Sequence, residues 1–270
     1  METTKVSFTA KDVMALRQKT GLGMMDCKKA LTESKGDMTA AEQWLRVKLK
    51  GKMDKRTERV AGEGRIGITI SGGSAAIVEI RAETDFNARN ESFISLVDEV
   101  AEAALGMQAG PVSPSDEITK RIDDVRFTSG ENVSFARGEK LEGGRFGSYV
   151  HHDGKRAALL QVEGEAEESL LTGICQHIVA HVPPPMGISD QDVPAATIEQ
   201  IRADAEAEAR ESGKPEGIVT KIADGRVRKF LQETTLLNQK YIRDDTRTVK
   251  DLLPPGLTIR RFVRYTVGAE

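Results

Sequence analysis

A short glycine motif that occurs twice is the feature of this chain that most constrains its fold. The tetrapeptide Gly-Arg-Ile-Gly spans 64–67, and Gly-Arg-Phe-Gly spans 144–147. Each copy opens a strand-forming segment that continues through a glycine-containing turn into a second one, as in a β-hairpin. Apolar residues at helical spacing follow each hairpin, over 93–104 and 167–182. The pattern predicts one hairpin-then-helix unit used twice.

Helices are predicted before the first of these units and after the second. Three short ones lie within 8–50, where Thr9 and Asp37 are candidate N-caps. A module this small has too little core for a pocket, so it is more suited to docking than to catalysis. A further pair of helices, broken at Ser212–Pro215, is predicted to pack antiparallel as a projecting hairpin.

Composition excludes several classes of function. No run approaches the ~18 consecutive apolar residues that a membrane span needs, and the first residues lack the pattern of a secretory signal. The two cysteines, Cys27 and Cys175, are too few and too distant for a disulfide framework or a metal knuckle. We therefore expect a soluble, cytoplasmic protein.

Charge is distributed unevenly along the chain. The net charge is −3, but residues 1–60 carry 14 Lys and Arg against 8 Asp and Glu, and Arg46–Arg59 holds seven cations and two anions. A basic patch of this kind could bind RNA or a phosphate-rich partner. A solvated helix end that runs into a linker is the simpler interpretation.

Enzyme motifs are present only in part. Residues 62–67 match the Gly-x-Gly-x-x-Gly dinucleotide fingerprint, but they precede a strand instead of opening a helix. His177 and His181 have the spacing of two metal ligands on one helix face, without the glutamate of a metalloprotease or a third ligand at a suitable spacing. No nucleophile elbow is found. The sequence therefore predicts no enzyme, no metal and no cofactor, with a zinc hydrolase on this histidine pair kept as a distant alternative.

The segment 83–87 places one large aromatic residue in a polar turn between a strand and a helix. Asp85 can act as an N-cap, with Phe86 packed over the first helical turn, and the residues alone favour this interpretation. The alternative is a protruding Phe86 beside a carboxylate, which would act as a wedge in a partner's pocket.

Four segments resemble the signature segments of the bacterial elongation factor Ts family, in the family's order and spacing: Thr20–Leu31, Glu83–Phe86, Gly147–His151 and Ser212–Pro215. The resemblance covers nearly the whole chain. It implies a guanine-nucleotide exchange factor of elongation factor Tu with an α+β fold. The implied parts are a three-helix module similar to ubiquitin-associated domains (1–52), a core N-subdomain (53–140), and a core C-subdomain (141–270) with a helical hairpin inserted at about 190–237.

The resemblance also implies which residues contact the partner. Four residues of the first two helices would face the GTPase domain of elongation factor Tu: Arg17, Met24, Met25 and Lys28. A loop would enter beside the nucleotide site and displace Mg²⁺: Thr84, Asp85, Phe86 and Asn87. His151 would contact the partner from the second subdomain. Two residues depart from the family pattern, Asn87 where valine is usual and Ser129 where a well-known member has isoleucine.

The partner implied is elongation factor Tu in its GDP-bound and nucleotide-free forms. We expect no membrane association and no direct nucleic-acid binding, and a homodimer remains open. The alternative function is a ribosome- or RNA-associated docking protein that uses the basic stretch Arg46–Arg59.

Overall fold

The structure, a computed structural model, describes residues 8–54 and 57–269, with side chains described outside 49–54. The chain divides into two compact units. Over the described residues, the first unit comprises 8–54, 57–69, 76–140 and 266–269, and the second comprises 70–75 and 141–265.

Three helices begin the first unit, as the sequence predicts: α1 (Ala10–Thr20), α2 (Met24–Glu33) and α3 (Met38–Asp54). Thr9 caps α1 in a capping box, because its hydroxyl accepts from the Asp12 N–H while the Asp12 carboxylate accepts from the Thr9 N–H at 2.7 Å. Asp37 accepts from the Ala40 N–H at 2.8 Å at the start of α3. Both predicted caps are confirmed.

A four-stranded sheet and three more helices follow. The strands are β1 (Glu63–Ser71), β2 (Ser74–Ala82), β3 (Gly110–Pro111) and β4 (Val133–Glu142), in the order β1-β2-β4-β3. The helices are α4 (Asp85–Ala88), α5 (Glu91–Leu105) and α6 (Asp116–Ser129). One face of α5 is buried in the core of this unit, with Phe93 and Leu96 completely covered.

The predicted helix capped by Asp85 is wrong in detail. It forms as two helices, α4 and α5, with separate caps. Thr84 caps α4 and accepts from the Asn87 N–H at 3.3 Å. Asn90 caps α5 and accepts from the Ser92 N–H at 3.0 Å. Because these two capping side chains are six residues apart, the chain can end the short helix α4 and begin α5 separately.

The second unit holds β5 (Arg145–Val150), β6 (Arg156–Glu163), α7 (Glu168–Ala180), α8 (Ala195–Glu211), α9 (Glu216–Thr234), β7 (Lys240–Tyr241), β8 (Asp244–Thr248) and all but the last residue of β9 (Thr258–Thr266). Strands β5, β6 and β9 form one sheet, in which β5 and β6 pair antiparallel. The predicted helical hairpin is present as α8 and α9, which pack on each other through small residues such as Ala205 and Ala223.

The repeated glycine motif has the same packing role in both hairpins. A Cβ on Gly67 would lie 2.7 Å from Cγ1 of Val97 in α5, and a Cβ on Gly147 would lie 2.5 Å from Cβ of Leu171 in α7. Ordinary side chains do not approach so closely, so each glycine lets the following helix lie directly on its hairpin. A Cβ on the first glycine of each motif would likewise lie too close to a carbonyl oxygen of the neighbouring strand, 2.2 Å from that of Ile80 for Gly64 and 2.3 Å from that of Val162 for Gly144.

Strand β4 is absent from the sequence predictions because charged residues interrupt its pattern. The Arg137 Nε donates to the buried Glu79 carboxylate at 2.7 Å, and Arg81 donates to the same carboxylate at 2.7 Å. The buried Lys140 Nζ donates to the Met107 carbonyl at 2.5 Å. These partners make an interior position tolerable for residues that hydropathy places at the surface.

Candidate functional site

Phe86 lies on the four-residue helix α4, between a strand and the longer helix α5. This residue is 83 % exposed, so the expectation that its ring packs over a helical turn is wrong. Asp85 faces the solvent in part and pairs with Arg89 at 3.2 Å. Asn87 and Ala88 are buried beneath the turn. The segment 83–89, called the Phe86 loop below, therefore has a buried base and a projecting aromatic ring.

Contacts from a distant segment hold this loop. The Thr84 hydroxyl donates to Oε1 of Glu131 at 2.7 Å, and the Thr84 N–H donates to Oε2 at 3.2 Å. Sequence reasoning missed Glu131, because nothing in the local pattern around it indicates a partner 47 positions away. The side-chain amide nitrogen of Asn87, Nδ2, is buried without a hydrogen-bond partner among the described residues. Of the four predicted loop residues, Thr84 and Asn87 thus support the loop, and Asp85 and Phe86 are presented to solvent.

The predicted docking residues separate into two positions on the three-helix module. Met24, Met25 and Lys28 line a groove of about 440 Å³ together with Ala10 and Val13 of α1 and the two residues before that helix. Met24 is 47 % and Met25 is 75 % exposed, which is unusual for large apolar side chains. Arg17 is exposed on α1 but is not among the residues that line this groove.

His151 follows β5 in the second unit and is half-buried. Its Nδ1 lies 3.0 Å from the Tyr149 hydroxyl, and its ring centroid lies 4.3 Å from that of His152. The hydrogen bond restricts the orientation of the ring, which leaves Nε2 as the nitrogen with freedom to contact a partner.

His177 is a buried structural residue. Its Nδ1 accepts from the Ile242 N–H at 3.2 Å, so Nε2 carries the proton toward Oε1 of Gln239 at 3.0 Å. Burial lowers the pKa of His177 to about 4, assisted by the neighbouring His181 and opposed by the bond to Gln239. Among the described residues, no group of three or more His, Cys, Asp and Glu side chains is placed to hold a metal. The histidine pair therefore lacks the geometry that the hydrolase alternative requires.

The basic stretch is described only in part, since 55–56 and the side chains of 49–54 lie outside the described residues. Arg46 pairs with Asp124 and lies 5.3 Å from the ring centroid of Phe127. Arg59 lies 3.4 Å from the carboxylate of Glu83. Both described arginines thus have partners within the chain. None of the helices in the described part combines the length and apolar character of a membrane crossing.

The described surface presents exposed methionines along a groove and an exposed phenylalanine on a fixed turn, features that are typical of a surface that binds another protein. Comparison with known proteins specifies the class further. The model of the family "Elongation factor TS" matches residues 83–269, and that of "Elongation factor Ts, mitochondrial, N-terminal" matches residues 1–51.

Similar proteins over nearly the whole length include elongation factor Ts of Bartonella bacilliformis, with 37 % identity over 97 % of this chain and 94 % of the relative. Those of Bartonella tribocorum and Bartonella henselae are 39 % and 37 % identical, with the same coverage. The chain belongs to the elongation factor Ts family. Members of this family are nucleotide exchange factors and not enzymes.

Proposed function

We propose that this chain is a cytoplasmic guanine-nucleotide exchange factor that acts on elongation factor Tu. It binds the GDP-bound partner, promotes release of GDP by disturbing the Mg²⁺ and phosphate site, and leaves as GTP binds. A GTPase holds its nucleotide largely through phosphate contacts and the bridging Mg²⁺. A protein that binds the nucleotide-free form more tightly must, by linkage, weaken the binding of GDP. Such a mechanism requires no covalent chemistry.

The exposure of Phe86 is the observation that carries this proposal. An aromatic ring has few rotatable bonds, so its insertion into a partner buries much surface with little loss of conformational freedom. Asn87 and Ala88 at the base of the Phe86 loop are buried, while the ring itself is exposed. The neighbouring Asp85 carboxylate can compete for groups that organise Mg²⁺ and phosphate. Its exposed pair with Arg89 is weak enough to open on contact.

The three-helix module (1–52), similar to ubiquitin-associated domains, supplies the docking surface in this proposal. Methionine side chains are flexible and polarisable, so Met24 and Met25 can adapt to an apolar surface of the partner. Lys28 lines the same groove and favours acidic residues around that apolar surface. Arg17 adds a second positive contact. The N-subdomain (53–140) carries the Phe86 loop, and the C-subdomain (141–270), with its helical hairpin, contributes His151.

Release of labelled GDP from elongation factor Tu tests the proposal directly. The preloaded complex is mixed with excess unlabelled GDP, with and without this chain, and release is followed over time. We expect the chain to accelerate release in a saturable manner. Equal rates with and without the chain, at concentrations where binding is shown by titration, would refute the proposed function.

A further inference from the structure

We propose that Glu131 is a positioning residue for nucleotide exchange. Its carboxylate fixes the Phe86 loop on the end of α6 and thereby sets the position of the wedge relative to the docking groove. This inference rests on the proposed function and adds a residue that does not itself touch the partner's nucleotide.

The first argument is the geometry of the carboxylate. Its two oxygens accept from one residue, the side-chain and backbone donors of Thr84, at 2.7 and 3.2 Å. The Thr84 hydroxyl meanwhile accepts from the Asn87 N–H at 3.3 Å and so caps α4. Because the hydroxyl proton is donated to a carboxylate, the oxygen lone pairs are directed toward the helix. Glu131 thus fixes the N-terminus of the turn that carries Phe86.

The second argument is a reciprocal contact one residue along each segment. The Asn132 N–H donates to Oε1 of Glu83 at 2.6 Å, while the Thr84 N–H donates to Glu131. The side chain of Asn132 also donates to the Arg59 carbonyl at 2.7 Å. Each segment therefore offers a carboxylate to the backbone of the other. Two attachment points resist rotation of the loop, which a single hydrogen bond would allow.

The third argument is the connection between this clamp and the docking module. Glu131 comes directly after Gly130, which ends α6 with a φ of 75°. One turn earlier, Phe127 is buried in the core of the three-helix module. A Cβ on Gly21 would lie 2.5 Å from the Thr128 carbonyl oxygen, so the end of α1 and the end of α6 are in close contact. Helix α6 therefore links the groove to the Phe86 loop within one unit.

The experiment compares two kinetic quantities, the maximal rate of GDP release and the concentration of chain that gives half of it. The variants are Glu131→Ala, Glu131→Gln, Thr84→Val and the double variant Thr84→Val/Glu131→Ala. Glu102→Ala is the matched control, since Glu102 is an exposed glutamate on α5. Thermal unfolding is measured on every variant.

For Glu131→Ala we expect a maximal rate about tenfold lower, because hydrogen bonds to a charged acceptor are lost from the loop. The half-saturating concentration should change less than threefold, since the docking groove is unaltered. Glu131→Gln should recover part of the rate, as its amide oxygen still accepts from the Thr84 hydroxyl. The double variant should be slowed by less than the two single effects combined, because both changes remove the hydrogen bond between the Thr84 hydroxyl and Glu131. The Glu102→Ala variant should match the parent.

Three outcomes would overturn the inference. One is a Glu131→Ala protein that is less stable but releases GDP at the parent's maximal rate, which is the result of a purely structural role. Another is additive slowing in the double variant. If Glu131→Ala fails to fold, the folded Glu131→Gln and Thr84→Val variants decide the matter, and parental maximal rates in both overturn it. Failure of the proposed function is distinguishable, because the parent chain would then not accelerate release at all.

Discussion

Replacement of Phe86 by alanine separates a partner-binding role from a structural one. With the residue 83 % exposed, truncation of the ring returns little buried apolar surface to water. The caps of α4 and α5 are supplied by Thr84 and Asn90, neither of which needs the ring. We therefore expect the free energy of unfolding to change by no more than about 0.5 kcal/mol, as for most surface substitutions.

The expected effect on exchange is much larger. Removal of a central aromatic side chain from a protein–protein interface makes the free energy of binding less favourable by about 2 kcal/mol or more. If that contact is formed in the step that expels GDP, the maximal release rate falls about thirtyfold. Phe86→Leu should lie between the parent and Phe86→Ala, because it keeps apolar volume but loses the planar ring. Val60→Ala is the control, since Val60 is 88 % exposed in the same unit and has no proposed role.

The assay is labelled GDP release at saturating concentrations of each variant, with urea unfolding of the same preparations. A destabilised Phe86→Ala whose folded fraction releases GDP at the parent's rate would refute the wedge. Equal slowing by Val60→Ala would also refute it, because any exposed apolar residue would then have the same effect.

Other parts of the chain give further expectations. Met24→Ala and Met25→Ala should each weaken binding of elongation factor Tu about fivefold in a titration, since both side chains line the exposed groove; parental affinity in both variants would exclude the groove as a docking site. Gly147→Ala should lower the free energy of unfolding by about 3 kcal/mol through overlap with α7. Gly225→Ala, exposed within α9 with open space around it, should instead stabilise by up to about 1 kcal/mol. The pKa of His177 is about 4 in the folded chain and about 6.5 in the unfolded chain. The contribution of this residue to the free energy of unfolding is therefore fully present above pH ~6.5. It is lost as the pH falls toward 4, with a decrease of about 3 kcal/mol in the free energy of unfolding that urea titrations should show in the parent and not in His177→Gln.

The sequence was most informative where a local rule has one physical solution. The Thr9 capping box and the Asp37 cap form as predicted, because a short polar acceptor before an apolar run has few alternatives. The repeated glycine at positions 67 and 147 predicted two similar hairpins, and its packing against a helix explains why a larger residue is unsuitable there.

Prediction was weaker where distant residues decide the outcome. Strand β4 was missed because its charged residues are made tolerable by partners such as Glu79, 58 positions from Arg137. A pattern of hydropathy within one segment cannot register such a partner. Glu131 was missed for the same reason, and this omission affects the candidate site most.

The orientation of Phe86 shows, within a single turn of helix, where prediction from the local sequence stops. Both Thr84 and Asp85 are acceptable N-caps, so local preference does not choose between them. The choice matters because successive residues in a helix are rotated by about 100°, and a cap shifted by one residue turns Phe86 by that angle. The Glu131 carboxylate decides it, since it binds both donors of Thr84 and leaves the Thr84 oxygen directed at the Asn87 N–H. Part of what directs the ring outward therefore lies outside the 83–87 segment. It is Glu131, directly after α6, where a substitution should change exchange without touching the wedge.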